Sequence, residues 1–223
     1  MEELFCIESG VISCLNTHAF VVAEEDLEFK SALLNASHVL CDGIGISLGS
    51  LFVSGKWIKR YDGPFFHQDL LRYFKQTSQR KRILYFGSSS DVAVSLQAKV
   101  SGYLPLCEVR AHSPIFVNKF SELDFEEHKN LISNYNPDII FVGLTAPKQE
   151  KWSDVMFKSF SDKLFVNIGA EFDFYAGKIR RHPSWIAALG FLWLYRLVLE
   201  PKRIWKRVFI SGLKYLVIIL KKQ

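Results

Sequence analysis

Asp138-Ile139-Ile140-Phe141-Val142-Gly143-Leu144-Thr145-Ala146-Pro147-Lys148-Gln149-Glu150 decides the fold. An apolar run ends on glycine, a short turn follows, and a helical pattern begins at the proline and runs over 147–159. A short, continuous, β-branched run reads as a strand covered on both faces, and proline suits a first helical turn. The same pattern recurs on both sides of this stretch. Strands are predicted over 38–41, 82–86 and 164–168, with Gly87 and Gly169 directly after two of them and Asp42-Gly43 after the other. Helices are predicted over 25–36, 65–75, 92–100 and 125–134 between the strands. Strands alternating with helices make βαβ units. The expected fold class is therefore α/β: a mostly parallel, Rossmann-like sheet with helices on both faces.

The chain has 223 residues, 49% hydrophobic and 23% charged. That is globular composition and excludes a disordered chain. The formal net charge of +5 is unevenly spread: residues 196–223 carry eight Lys/Arg and one acid, leaving a mildly acidic remainder. This excludes a uniformly basic nucleic-acid binder, and no nucleic-acid partner is expected. It points the basic tail at an anionic surface. Apolar helices are expected over 185–199 and 201–220, broken at Glu200-Pro201. Two parts follow: an α/β domain over 1–195 and a basic, amphipathic membrane-binding appendage over 196–223. Trp205, Phe209 and Tyr215, with Trp193 and Tyr195 just before them, accompany the bases, a mix suited to a membrane interface, although a dimerisation or core-packing helix would use the same residues. No apolar run approaches the ~20 residues needed to cross a bilayer, and the N-terminus lacks the pattern of a secretory leader. Cys6, Cys14, Cys41 and Cys107 show no C-x-x-C pairing and read as free thiols.

In parallel α/β sheets, ligands sit outside the carboxyl ends of the strands. Asp42-Gly43-Ile44-Gly45 lies at such an end: Asp42 is a candidate general base or merely a helix cap, and Gly43 and Gly45 admit a ligand to the backbone. Gly143 to Glu150 is a second such turn, where Lys148 can meet a phosphate and Gln149 a polar substrate; a solvated helix start reads the same. Asp173, Gly177, Lys178, Arg180 and Arg181 form a third group, a diphosphate cradle or a solvated face. Gly87-Ser88-Ser89-Ser90 lacks the lysine of a P-loop and reads as a plain turn. No protein metal motif, G-x-S-x-G or G-x-G-x-x-G is present. No cofactor or metal is expected, and a dinucleotide oxidoreductase is disfavoured.

The ordered set resembles the WecG/TagA/CpsF glycosyltransferases, family 26, along nearly the whole chain. It reads Asn16-Thr17-His18, Cys41-Asp42-Gly43-Ile44-Gly45, Arg60 with Gly63, Gly143 with Pro147-Lys148-Gln149-Glu150, and Gly169 with Phe172-Asp173 and Ala176-Gly177. It closes with Arg181-His182-Pro183-Ser184-Trp185, Trp193-Leu194-Tyr195-Arg196 and Glu200-Pro201-Lys202-Arg203. The resemblance implies an inverting, metal-independent transferase. Such an enzyme moves a sugar from a UDP-sugar to a polyprenyl-diphosphate-linked saccharide at the cytoplasmic membrane face, in surface polysaccharide synthesis. It implies Asp42 as catalytic base, with Thr17, Arg60 and Gln149 in the catalytic set. Asn16, Gly43, Gly45, Gly143, Pro147, Lys148, Glu150, Asp173, Gly177 and Arg181 are expected to bind substrate. Arg196 and Arg203, with Arg207 or Lys206, are expected to meet the nucleotide diphosphate. Phe65 stands where the family usually has Asp, and Leu192 where it has Glu, so sugar and acceptor stay unassigned. A non-catalytic nucleotide-binding or structural subunit of a polysaccharide assembly complex is the alternative, and homo-oligomerisation is compatible with either.

Overall fold

A computed structural model describes residues 2–179 and 209–221. A 3-10 turn over Glu2–Cys6 leads to β1 (Gly10–Leu15), α1 (Thr17–Glu25), α2 (Leu27–Asn35) and β2 (His38–Cys41). Next come α3 (Ile44–Ser54), α4 (Gly63–Gln76), β3 (Arg82–Gly87), α5 (Ser90–Tyr103) and β4 (Glu108–His112). The domain continues through α6 (Glu122–Tyr135), β5 (Ile139–Gly143), α7 (Lys148–Ser159), β6 (Leu164–Asn167) and α8 (Glu171–Ala176). The last described element is α9 (Ser211–Lys221). The six strands form one sheet in the order β2-β1-β6-β5-β3-β4, and every pairing is parallel. The expected α/β class and its coverage on both faces are what the structure shows.

Alternation along β5 shows why the run is apolar throughout. Ile139 and Phe141 enter one core with Phe66, Leu70, Tyr85 and Phe172; Ile140 and Val142 enter the other with Phe86, Ile132, Trp152 and Met156. Successive strand side chains point to opposite faces, so a strand sandwiched between helix layers must be apolar at every position. Phe141 is wholly buried, and burial of a side chain that size contributes about 1.5–3 kcal/mol. Local caps set the helix starts. Asp26 accepts from Phe29 N at 3.0 Å, Asp62 accepts from Phe65 N at 3.2 Å, and Ser121 with Asp124 forms a reciprocal capping box.

Two strands escape the sequence reading. β1 carries Ser13 and Cys14 in its middle, yet Ser13 is fully buried because Asn167 Nδ2 donates to its hydroxyl at 2.9 Å. β4 is an edge strand with an exposed-buried alternation and three polar residues of five. The predicted helices are found with ends moved by a few residues; the α7 helix starts at Lys148, one residue after Pro147, whose peptide bond with Ala146 is cis. The expected helix over 185–199, the first part of that over 201–220, and the 195/196 domain boundary lie outside the described residues. No described helix is long and apolar enough to cross a membrane.

Candidate active site

Chain direction reverses at the carboxyl ends of β3 and β5: β3 leads outward to β4, whereas β5 leads back to β6. Such a reversal opens a crevice where α/β sheets hold ligands. Here the two strand ends meet closely. Ser88 N donates to Gly143 O at 3.1 Å, and a Cβ at Gly87 would stand 2.6 Å from the Gly143 backbone. Of the expected group at 173–181, Asp173 and Lys178 are drawn in, whereas Arg180 and Arg181 lie outside the described residues. Ser88 Oγ donates to Asp173 at 3.2 Å, and Lys178 Nζ reaches Ser89 Oγ at 3.2 Å and Asp91 at 3.1 Å. Gly177 ends α8 in a left-handed conformation, φ +86°. Lys148 is held by the loop before α6: its ammonium donates to Val117 O at 2.7 Å and lies 4.5 Å from the Phe120 ring centroid. Partial burial lowers its pKa.

The polar residues gather across the ends of β1, β2 and β6. Asp42 follows β2 directly, held by its N–H donating to Leu15 O at 2.9 Å. It does not cap α3: Gly43 is the cap residue, at φ +105°, with no side-chain cap bond. The carboxylate instead accepts from Asn16 Nδ2 at 3.3 Å, while Asn16 Oδ1 caps α1 through Ala19 N at 2.9 Å. Thr17 opens α1 and packs on the start of α3. A Cβ at Gly45 would fall 2.4 Å from Thr17 Cγ2, so this contact already requires glycine at 45. A Cβ at Gly143 would enter the Phe172 ring. Tyr61 N donates to Cys41 O at 3.0 Å, which returns 60–62 alongside the end of β2. Arg60 then meets Asp62 at 3.4 Å.

Asp62 was not foreseen. It is buried, and burial followed by the charge of nearby Asp42 pushes its pKa up to about 6, against the opposing pull of the Phe65 amide and Arg60. Glu150, in the first turn of α7, is 2% exposed and pushed up to about 7, chiefly by burial. Gln149 Nε2 donates to it at 2.8 Å, yet Glu150 Oε2 and Gln149 Oε1 find no hydrogen-bond partner among the described residues. Gln149 in turn approaches Gly169. Cys14 lies among these acids: burial, then Asp42, Glu150 and Asp62, raise its thiol well above the ordinary value, and Sγ donates to Asn167 O at 3.4 Å. Beneath, buried His67 bridges Glu171 at 3.4 Å and Tyr85 OH at 2.8 Å. Asp62, Glu171 and His67 sit in stretches with no motif spacing, and an Asp before Gly-Pro signals only a helix cap.

The appendage reaches this rim. α9 packs on α1 and α3: Ser211 Oγ and His18 Nδ1 are 2.8 Å apart, and Tyr215 OH donates to Gly45 O at 3.1 Å. Both contacts lie within three residues of Thr17 or Asp42 along the chain. Arg181, Arg196, Arg203, Lys206 and Arg207 lie outside the described residues. A cavity of about 170 Å³ lined by Phe5, Tyr73, Lys81 and Asp138 opens at the opposite, amino-terminal end of the strands. Among the described residues no three His, Cys, Asp or Glu side chains are grouped to hold a metal ion.

A parallel α/β sheet with a carboxylate beside a helix N-terminus, and further acids behind it, places the chain in the class of Rossmann-like α/β proteins, whose ligands sit at the carboxyl ends of the strands. The chain belongs to the glycosyl transferase WecG/TagA/CpsF family, whose profile matches residues 3–223. Two relatives carry the name N-acetylglucosaminyldiphosphoundecaprenol N-acetyl-beta-D-mannosaminyltransferase. One, from Bacillus subtilis (strain 168), is 30% identical over 214 residues, 96% of this chain and 80% of the relative. The other, from Bacillus spizizenii, is 28% identical over 201 residues, 90% and 75% of the two chains. A relative of the same name from Staphylococcus aureus (strain MRSA252) is 25% identical over 169 residues, 76% of this chain and 64% of its own.

Proposed function

We propose that this protein transfers a sugar from a UDP-sugar to a polyprenyl-diphosphate-linked saccharide, with inversion and without a metal, at the cytoplasmic membrane face. The observation that carries the reading is the Asp42 carboxylate. It stands at a strand end, half-buried, relieved of helix capping by Gly43 and oriented by Asn16. The names of the relatives supply the acceptor class.

Inversion takes one displacement. An acceptor hydroxyl attacks the anomeric carbon, its proton passes to Asp42 Oδ, and the bond to the diphosphate oxygen breaks on the opposite face. The leaving UDP needs fixed positive charge or backbone donors. Arg196, Arg203 and Arg207 are the bases proposed for this, with Arg181 a further substrate-binding residue. The seating of α9 beside Thr17 and Gly45 supports an appendage that closes on the site. Arg60, tied to Asp62, and the buried Gln149–Glu150 pair share this end of the sheet with Asp42. Gln149 and Thr17 orient donor and acceptor.

The test is Asp42→Asn with a panel of UDP-sugars, UDP-N-acetylmannosamine among them, and a diphosphate-lipid-linked N-acetylglucosamine acceptor. Turnover should fall about 10²–10⁴-fold, the usual worth of a positioned base. UDP affinity should hold. Near wild-type turnover would remove Asp42 from the chemistry. UDP binding with no transfer from any donor by the native protein would favour a non-catalytic nucleotide-binding subunit.

A further inference from the structure

Exposed apolar side chains are concentrated on this molecule. Of the 22 large ones exposed among the described residues, thirteen fall within 44–58 and 209–220. Soluble monomers scatter such residues, and a contiguous patch beyond on the order of 300–600 Å² marks an interaction surface. α3 buries Ile46, Ser47 and Gly49 inward and turns Ile44, Leu48, Leu51 and Phe52 outward, each 42–53% exposed. At its end Gly55 stops the helix, and Trp57 and Ile58 follow, 53% and 47% exposed. α9 carries apolar side chains on its outer side as well as its inner one: Ser211, Tyr215 and Ile219 face inward, while Leu213, Leu216, Val217 and Leu220 are 50–65% exposed, with Lys214 among them. A helix with a broad apolar outer face is expected to cover that face with a partner or lipid rather than leave it wetted. The two helices lie side by side, since Gly49 is closed over by the Tyr215 and Ile219 side chains, so their outer faces adjoin.

Charge selects the occupant. Residues 43–61 contain Lys56, Lys59 and Arg60 and no acid; on α9, Lys221 stands at the end of the helix, while Lys214 is paired with Glu25 of α1. An apolar face rimmed by lysines, with a tryptophan at its margin, matches the depth profile of an anionic bilayer: acyl chains, aromatic belt, phosphates. A second copy of the chain would set the same lysines against one another across a twofold axis.

We propose that α3, the Lys56–Lys59 segment and α9 together form one face that lies on an anionic bilayer, so that the α/β domain itself, and not the tail alone, touches lipid. Asp42 precedes α3 by two residues, so this pose holds the carboxylate at headgroup level, where a lipid-linked diphosphate presents its sugar. That last point rests on the transferase reading.

The test uses the full chain and three variants: Leu48→Glu with Phe52→Glu, Trp57→Glu, and Leu216→Glu with Leu220→Glu. Sedimentation with phosphatidylglycerol–phosphatidylcholine vesicles measures binding, light scattering measures oligomeric state, and thermal unfolding checks the fold. Because the replaced side chains are about half exposed, unfolding temperatures should stay near wild type. Each variant should lose roughly tenfold or more of its vesicle partitioning, because a charge replaces apolar contact with the acyl region. Transfer to a short-chain, water-soluble acceptor should persist. Unchanged vesicle binding in both α3-side variants overturns the proposal. So does a vesicle-free dimer that the same substitutions split, which would make the face a self-association surface. Absence of transfer by the native protein to either acceptor would strike the transferase reading and leave the vesicle result standing.

Discussion

Glu150→Gln isolates the electrostatic strain behind the site. The native carboxyl is 2% exposed, receives one hydrogen bond from Gln149, and has a pKa of about 7 in place of 4.5. Glutamine keeps the shape and an oxygen to accept from Gln149, but never ionises. At alkaline pH the folded wild type must hold a buried carboxylate that burial disfavours, which costs about 3 kcal/mol by the usual 1.36 kcal/mol per pKa unit. The sign follows from proton counting. Between pH 4.5 and 7 the folded chain keeps a proton that the unfolded chain releases, so wild-type stability declines as pH rises through that window and levels off above it. The variant escapes the decline. Urea unfolding should show Glu150→Gln more stable than wild type by about 3 kcal/mol at pH 8.5 and by about 1 kcal/mol at pH 5.5. Equal increments at the two pH values, or a variant less stable at pH 8.5, would refute burial as the dominant influence on this group.

Asp62→Asn should behave similarly at lower pH: the cap on Phe65 N survives, and a gain of at most about 3 kcal/mol above pH 6 should vanish as pH falls toward 3.8, read by the same unfolding series. Asn16→Ala removes both the α1 cap and the donor to Asp42; stability should drop by about 1 kcal/mol, and turnover should fall further than that loss explains, checked by denaturation and UDP release. Gly49→Ala drives a Cβ to 2.0 Å from Tyr215 OH and 2.6 Å from Ile219 Cδ1, so α9 should loosen, with about 1–3 kcal/mol lost and faster trypsin cleavage at Lys214; an unchanged cleavage rate would mean that α9 is not held by this contact. Among the cysteines, a thiol reagent at pH 8 should label exposed Cys6 first and leave Cys14 protected, with labelling followed by peptide mass.

The layered sheet was legible because burial on both faces imposes a residue type at every position of 82–86, 138–142 and 164–168. Glycine and Asp42 at the strand ends marked the candidate site, and the ordered motifs marked the family. β1 and β4 were not legible for opposite reasons. Central β1 tolerates Ser13 because a buried partner from another strand satisfies it, and edge strand β4 needs only half the apolar pattern. The same limit applied to the site. Nothing local distinguishes Asp62 from any helix cap, or Glu150 from a solvated acid in a first turn.

The sequence by itself determined the sheet's class, the strand ends that carry Asp42 and Gln149, and the basic, apolar character of the tail, because these follow from local pattern and composition. Only the tertiary structure decided that Gly43 rather than Asp42 caps α3, that three acids converge around Cys14, and that α9 seats on α3 to join two apolar stripes into one face. Each of these depends on residues distant in sequence coming within a few ångströms of one another. Burial and electrostatic coupling are properties of that proximity, not of the chain's order.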